Sequence, residues 1–458
     1  MTPAPRRAER SASGPADFLQ DFDLSSRQAI VVAVSGGSDS TALLYLARDW
    51  RERMAPSVRL VAATVDHGLR PESAAEAASV AALCTRLSID HVILRWTGQK
   101  PATGLQAAAR EARLRLLAGA AIRARTDVVL AGHTLDDQAE TVAMRAGRGP
   151  GVGLAGMAPA TLVDGGVWIV RPLLQTRREA LRDFLRNRGV AWIDDPSNDN
   201  PAFERVRLRR SAPAIDPGQI AAASHARCDL AERAAALLDA HASTPSRGLV
   251  RLDPALFAAA DRDAAVHAFR ALLAALGGVE HLPDAARAAA LFDRVRPPLR
   301  ATLSRTVVDA RRAGVFLHRE SRGLPGPAEA ADGMVWDGRF RLRLAGLPGP
   351  VVVPMGQVPM GRAPADGAPM PVDAVAPASL VRAALAAEPA LDDGRAEAEG
   401  AMAPLDETSS PVAATRLALP WSRLLPSFDL PLARSVARAV GAPPFRSPPC
   451  HGHKAAKA

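Results

Sequence analysis

Six consecutive residues, Ser35-Gly36-Gly37-Ser38-Asp39-Ser40, stand between an apolar run, AIVVAV (29–34), and a leucine- and alanine-rich stretch beginning TALLYLA. A strand passing through such a turn into a helix presents unpaired backbone N–H groups where the peptide dipoles favour an anion. Two glycines keep Cβ atoms out of the space an anion would fill, and serine hydroxyls can donate to phosphate oxygens. A turn that merely caps a helix needs one polar residue. This one has four, with two glycines. It is neither the lysine-bearing GxxxxGK[ST] loop nor GxGxxG.

A second constellation lies in AGHTLDDQAET (131–141). His133 stands where an apolar run ends, and Leu135 begins a helical pattern. Asp136 and Glu140 are spaced i,i+4 and Asp137 and Glu140 i,i+3, so the carboxylates fall on adjacent turns. Acids in a first turn can simply complement the helix dipole. They can also share a hard cation such as magnesium, which takes oxygen ligands. A phosphate-type loop in the same sheet favours the cation. The following glycine-rich segment, Gly147 to Gly153, lets backbone approach a substrate, and Arg148 within it supplies charge for phosphate or base.

The elements that must position these residues are legible in the pattern. Apolar runs at 29–34, 58–65, 91–96, 127–133 and 166–174 alternate with amphipathic stretches such as AAEAASVAALCTRL and GLQAAAREARLRLLAGAAIRAR. Strands apolar throughout and separated by helices indicate an α/β fold, a doubly wound parallel sheet covered on both faces. Ligands of such sheets sit at the carboxyl ends of the strands, which is where both constellations fall. The expected organisation is a disordered segment over 1–25, a catalytic domain over 26–213, a helical domain over 214–320 and a Pro/Gly-rich, partly disordered region over 321–458.

Composition narrows the partners. Lysine and arginine total 57 against 48 acids, a formal charge of +9, and only Lys100, Lys454 and Lys457 are lysines. That balance suits a nucleic-acid partner, although an Ala/Arg/Gly/Pro bias also produces it. Three cysteines, Cys84, Cys228 and Cys450, are too few and too scattered for a disulfide scaffold or a structural zinc site, and no CxxC pair occurs for redox or sulfur-transfer chemistry. With no apolar run near 18 residues and no signal-type start, the expected setting is cytoplasmic, with no membrane partner. The oligomeric state stays open, a homodimer included.

The SGGSDS segment resembles the pyrophosphate loop of the PP-loop ATP pyrophosphatase superfamily. Further segments narrow the likeness: VDHGLRPESAAEAASVAALCTRL (65–87), GLQAAAREARLRLL (104–117), HTLDDQAET, RGPGVGLAGM, and RPLLQTRREALRDFLRNRGVAWIDDPSNDNPAFERVRLRR (171–210). In this order across residues 29–210 they are similar to the tRNA(Ile)-lysidine synthase family. WDGRF (336–340) and PSFDLPLARSVARAVG (426–441) resemble its later segments more loosely.

That resemblance implies binding of ATP by Ser35, Gly36, Gly37, Ser38, Asp39 and Ser40, and a magnesium ion held by Asp39 and Glu140. It implies adenylylation of the C2 oxygen of the first-anticodon-position cytidine in an isoleucine tRNA with a CAU anticodon. Free L-lysine would then attack C2 through its ε-amine. Asp39, His133, Asp137 and Glu140 are the catalytic candidates, with His133 or Asp137 as base, and Arg148, Arg178 and Arg205 are the candidate tRNA contacts. The alternatives are another PP-loop tRNA-modifying enzyme, such as a thiolase, which the missing CxxC disfavours, or an inactive tRNA-binding protein. Asp66 stands where the family often has histidine, Pro150 where it has serine, and Val206 where it has asparagine; what these departures do is not read from the sequence.

Overall fold

The computed structural model describes Leu19 and residues 22–69, 71–146, 152–194, 216–344, 351–357, 376–392 and 412–450. The chain separates into two units: residues 1–227 with 424–428 and 446–458, and residues 228–423 with 429–445. The first unit thus runs beyond residue 213 and recruits two segments from far down the chain.

In the first unit, β1 (Ala29–Ala33), β2 (Arg59–Asp66), β3 (Asp90–Arg95) and β4 (Val128–Ala131) alternate with α1 (Ser38–Met54), α2 (Ser73–Arg86) and α3 (Leu105–Arg123). After α4 (Leu135–Ala146) come β5 (Ala160–Val163), β6 (Val167–Val170) and α5 (Arg178–Arg186). A seven-stranded sheet results: the strand Leu424–Pro426, then β5, β6, β4, β1, β2 and β3. From β6 to β3 every pairing is parallel, whereas β5 pairs antiparallel with β6 and with Leu424–Pro426. The doubly wound parallel sheet is present, with two antiparallel strands added at one edge.

Val31, Ala33, Ala63, Val129, Ala131 and Ile169 form one core layer with Leu117, Ala118 and Ala121 of α3. The intervening residues Ile30, Val32 and Leu130 point to the other face by strand alternation and are fully buried. There α1 lies along β1, β2 and β4, and α5 packs on α1. Alanine dominates the layer, so helices approach the sheet closely, and few aromatics are needed to fill it.

β2 and β3 lie to one side of β1, and β4 to the other. The connection therefore reverses direction between β1 and β4, the topological switch point where open α/β sheets hold ligands. SGGSDS follows β1 and HTLDD follows β4.

The segment expected to be disordered at 1–25 includes described, packed residues: Leu19 and Leu24 are fully buried, and Phe22 forms a β-bridge with Cys450. In the second unit the expected helices are α6 (Pro217–His241), which starts in the first unit, α7 (Arg262–Gly277) and α8 (Ala285–Phe292). They are joined by a five-stranded antiparallel sheet built from 242–246, 249–252, 299–303, 306–311 and 314–319. Of its first two strands, ASTPS is too polar and LVRL too short to stand out by alternation. Two three-stranded antiparallel sheets occupy parts of 328–416. No helix among the described residues is long and apolar enough to cross a membrane.

Candidate active site

α1 begins at Ser38 with Gly37 as N-cap and no side chain capping it. Its first N–H groups are therefore the feature the turn presents to a ligand. Gly36 adopts φ +89°, and a Cβ there would lie 2.6 Å from Ile193 Cδ1. The Ile193 amide donates to Gly36 O at 2.9 Å, so the segment after α5 closes over the turn. Gly37 is different: its φ of −69° suits any residue, and an added Cβ would meet nothing nearer than 3.8 Å.

The serines brace the turn. The Ser40 hydroxyl donates to Gly37 O at 3.1 Å and accepts from the Ser35 amide at 3.1 Å, with the Ser35 hydroxyl also 3.1 Å away. Ser38 donates to Asp39 Oδ1 at 3.0 Å. Hydroxyls expected to reach a phosphate are thus engaged within the loop, because the turn itself needs acceptors and donors; what it offers outward is backbone N–H.

At the end of β4, Gly132 permits contact between the two constellations. A Cβ there would lie 2.9 Å from Asp39 O and 3.1 Å from Ser40 Cα, both backbone atoms. Thr134 then caps α4: its amide and hydroxyl donate to Asp137 Oδ2 at 2.8 and 3.0 Å, and the Asp137 amide returns to Thr134 Oγ1 at 3.4 Å. This reciprocal cap leaves Asp137 Oδ1 directed elsewhere.

It meets Arg178. The guanidinium lies between three carboxylates: Nε to Asp39 Oδ2 at 2.9 Å, Nη2 to Asp137 Oδ1 at 3.1 Å, and Nη1 to Glu140 Oε1 at 3.7 Å. Asp136, spaced in sequence to join Glu140, instead accepts the Arg178 backbone N–H at 2.7 Å and holds the start of α5. Leu135 N to Thr176 O, 3.0 Å, adds a second tie between α4 and the segment before α5. Burial pushes the Asp39 carboxyl above its ordinary range, and Asp137 adds to this, while Arg178 and Ser38 pull it back only in part. For Arg178 burial acts downward, but Asp137 and Asp39 outweigh it and raise its affinity for the proton. Arg113 of α3 is close enough to feel Asp137, although burial and Arg110 lower its pKa.

Of the sequence candidates, Asp39, Asp137, Glu140 and Arg178 come together at the switch point, with His133 on the loop between β4 and α4. Arg178, read from the sequence as an RNA contact, sits inside the acidic group. Arg148 and Arg205 lie outside the described residues. Three further arginines of α5 and the turn after it are ion-paired: Arg182 with Glu179 and Asp194 at 3.9 Å, Arg186 with Asp183 at 2.6 Å, and Arg188 with Asp49 at 2.9 Å. Asp66 accepts from Gly68 N at 2.9 Å and Ser73 Oγ at 2.8 Å, fixing the turn from β2 into α2; those bonds hold its carboxyl below the usual range. Gly132, Thr134 and Ile193 are additional supporting residues. The Thr-x-x-Asp spacing signals the cap, whereas the contacts of Gly132 and Ile193 carry no local signal.

Carboxylate oxygens are the right donors for a hard divalent ion. In the arrangement described they surround a guanidinium instead, and among the described residues no group of three or more His, Cys, Asp or Glu is gathered to hold a metal. The arrangement sets an uncapped helix N-terminus, which favours an anion, beside carboxylates that hold the Arg178 guanidinium.

A family described as a PP-loop domain matches residues 9–214. A curated relative from Mesorhizobium japonicum, tRNA(Ile)-lysidine synthase, is 50% identical, covering 93% of this chain and 95% of its own. One of the same name from Rhizobium meliloti is 38% identical over 95% and 96%. Among solved structures, U34-tRNA thiolase NcsA from Methanococcus maripaludis with its [4Fe-4S] cluster is similar at 18% identity and a TM-score of 0.38, covering 45% of this chain and 74% of that one.

Proposed function

This chain belongs to the tRNA(Ile)-lysidine synthase family, and from that premise we propose that it uses ATP to join free L-lysine to the first-anticodon-position cytidine of an isoleucine tRNA bearing a CAU anticodon, in the cytoplasm. The observation that carries the reading is the meeting of an uncapped helix N-terminus and the Asp39, Asp137 and Glu140 carboxylates at one switch point. An anionic phosphate chain and a cationic group must be handled side by side in this reaction, and the site is divided in that way.

The chemistry has two steps. The C2 oxygen of cytidine attacks the α-phosphorus of ATP; a phosphorus–oxygen bond forms and pyrophosphate leaves. The lysine ε-nitrogen then attacks C2, the C2–oxygen bond breaks, and that oxygen departs with AMP. An amide-type oxygen leaves poorly on its own, and adenylylation makes it a good leaving group. The N–H groups of the turn and α1 face charge that builds on phosphate oxygens. The ε-amine arrives as an ammonium and must lose a proton to attack. Asp137 and Glu140 favour the cation on arrival, and His133 or Asp137 accepts its proton.

Asp39 and Glu140 would hold magnesium, which would supply charge neutralisation at the departing pyrophosphate. Arg148 and Arg205 are proposed RNA contacts, since arginine pairs bidentately with phosphate and stacks on bases. Residues 214–320 are proposed to extend the RNA-contacting surface. The test is AMP release from ATP. It is expected in full when both lysine and the CAU-anticodon tRNA are present, at a reduced level with the tRNA alone, and not without that tRNA. AMP formation indifferent to that tRNA contradicts the proposal.

A further inference from the structure

Past the carboxyl ends of β2 and β3, the sheet face that carries α3 changes character. Val61, Ala63 and Val65 of β2 and Val92 and Leu94 of β3 pack in or against the core layer under α3. Alternation carries that face on to His67 and Trp96, the first residues beyond the two strands. Their rings meet edge to face with centroids 5.9 Å apart, and the Trp96 amide donates to Asp66 O at 2.9 Å. The Lys100 ammonium stands 5.5 Å from the Trp96 ring centroid and beside Gly68, where an added Cβ would lie 3.7 Å from Nζ. On α3, Leu117 packs in the core layer, and Arg113, four residues earlier, falls on the same side and within electrostatic reach of His67. Neither Lys100 nor Arg113 forms an ion pair among the described residues. The acids felt by His67 and Arg113 bond other groups: Asp66 holds Gly68 and Ser73, and Asp137 holds Thr134 and Arg178. His67 Nδ1 is buried and meets no partner among the described residues. Burial, then Arg113 and Lys100, hold this imidazole below its ordinary range against the pull of Asp66, so it is uncharged at neutral pH.

We infer that His67, Trp96, Lys100 and Arg113 form a subsite for one unstacked nucleotide of the RNA substrate, flanking the cytidine that reacts. The base packs against the Trp96 indole, its edge meets His67, and its phosphate is held by Lys100 and Arg113. An aromatic surface beside two unneutralised cations and a neutral hydrogen-bonding ring is the chemistry that recognises a base and its phosphate together. A pair kept only for folding needs no such excess of charge; Arg182, Arg186 and Arg188 near α5 each have their acid. Position separates this subsite from the phosphate turn. Trp96 follows the edge strand, two strands or about 10 Å across the sheet from β1, so a polymer can enter and leave there. The turn itself leads into α1, which covers the opposite face. The inference rests on the function proposed above, which makes tRNA the substrate.

The test uses the full chain and an isoleucine tRNA bearing a CAU anticodon, with tRNA affinity measured over a range of salt and ATP affinity measured separately without RNA. Trp96→Ala is expected to weaken tRNA roughly five- to hundred-fold, the share of one stacked base, and Trp96→Phe to recover most of the loss. Lys100→Met keeps the stem and removes the charge, so the log–log salt slope is expected to be shallower by about 0.7, one single-strand phosphate. ATP affinity is expected to stay parental in all three. Should Trp96→Ala fail to fold, Lys100→Met carries the test, since Lys100 lies on the connection between β3 and α3 and forms no ion pair among the described residues. Parental tRNA affinity in folded Trp96→Ala, or an unchanged slope in Lys100→Met, overturns the subsite. A loss of ATP affinity as large as the loss of tRNA affinity assigns the ring to the adenine of ATP and also overturns it. Lysidine formation by the parent enzyme is measured separately. Its absence refutes the functional reading, whereas variants that bind tRNA as the parent does, in an enzyme that makes lysidine, refute only the subsite.

Discussion

Gly37→Ala separates a turn built for folding from a turn built for phosphate. At φ −69° and ψ 163° alanine fits without strain, and its Cβ would sit 3.8 Å from Ser35 Oγ and 3.9 Å from Ile193 O, ordinary contact distances. Alanine is worse than glycine at an N-cap by about 0.5 kcal/mol, while restricting the unfolded chain returns about 0.4–1 kcal/mol. The net change in the ligand-free protein is within about 0.5 kcal/mol, or roughly 1–2 °C in Tm. A phosphate drawn onto the α1 N–H groups would meet the new methyl. Losing one charge-assisted hydrogen bond of about 1.5–3 kcal/mol weakens ATP roughly ten- to hundred-fold. Gly36→Ala must behave otherwise: φ +89° costs an L-residue about 1–2 kcal/mol, and its Cβ collides with Ile193, so stability falls as well. Thermal unfolding without ligand and calorimetric titration with ATP make the comparison. If Gly37→Ala binds ATP as tightly as the parent, the phosphate does not rest on this turn.

Glu140→Gln keeps size and shape at a buried position 3.7 Å from Arg178, so Tm is expected to move by only a few degrees while tRNA-dependent AMP release drops by orders of magnitude; parental rates return Glu140 to a dipole-complementing role. Gly132→Ala drives a methyl into the backbone of Asp39 and Ser40 and is expected to cost about 1–3 kcal/mol together with most of the activity; a parental Tm would show that the β4 loop does not press on α1. Burial raises the Cys84 thiol to about 11 from an ordinary 9.0, so the reactive thiolate is scarcer at pH 8 and grows in only as the pH climbs towards 11. Maleimide labelling of the native protein at pH 8, read by peptide mass, is expected to spare Cys84; labelling at the rate of the denatured chain refutes its burial.

β1 and β4 were legible because parallel strands covered on both faces are apolar throughout, as AIVVA and VVLA are, whereas β2 and β3 stood out only by their apolar centres between charged ends. β5, in MAPATLV, is only four residues long, yet a signal was present: Asp164 and Gly165 follow it with φ of 47° and 69°, the Asp-Gly hairpin turn into β6. Strand Leu424–Pro426 carried none, since it joins β5 from some 260 residues away along the chain, a separation no local pattern encodes. The site divides in the same manner. SGGSDS and HTLDDQAE were readable because each is one strand end and one helix start. Their closure was not, because it depends on Arg178, 139 residues from Asp39, and on Gly132 as a point of backbone contact. Spacing alone also misassigned the partner of Asp136, which holds the α5 N-terminus and not the shared cation.

The central claim is that this site adenylylates a cytidine and hands it to lysine. The purified chain is incubated with ATP, lysine and an isoleucine tRNA bearing a CAU anticodon, and the tRNA is digested to nucleosides and weighed. The account predicts one cytidine per tRNA, at the first anticodon position, heavier by one lysine less one water, and none when lysine or ATP is withheld. Unmodified cytidine at that position, in a folded enzyme that binds both ATP and the tRNA, contradicts it.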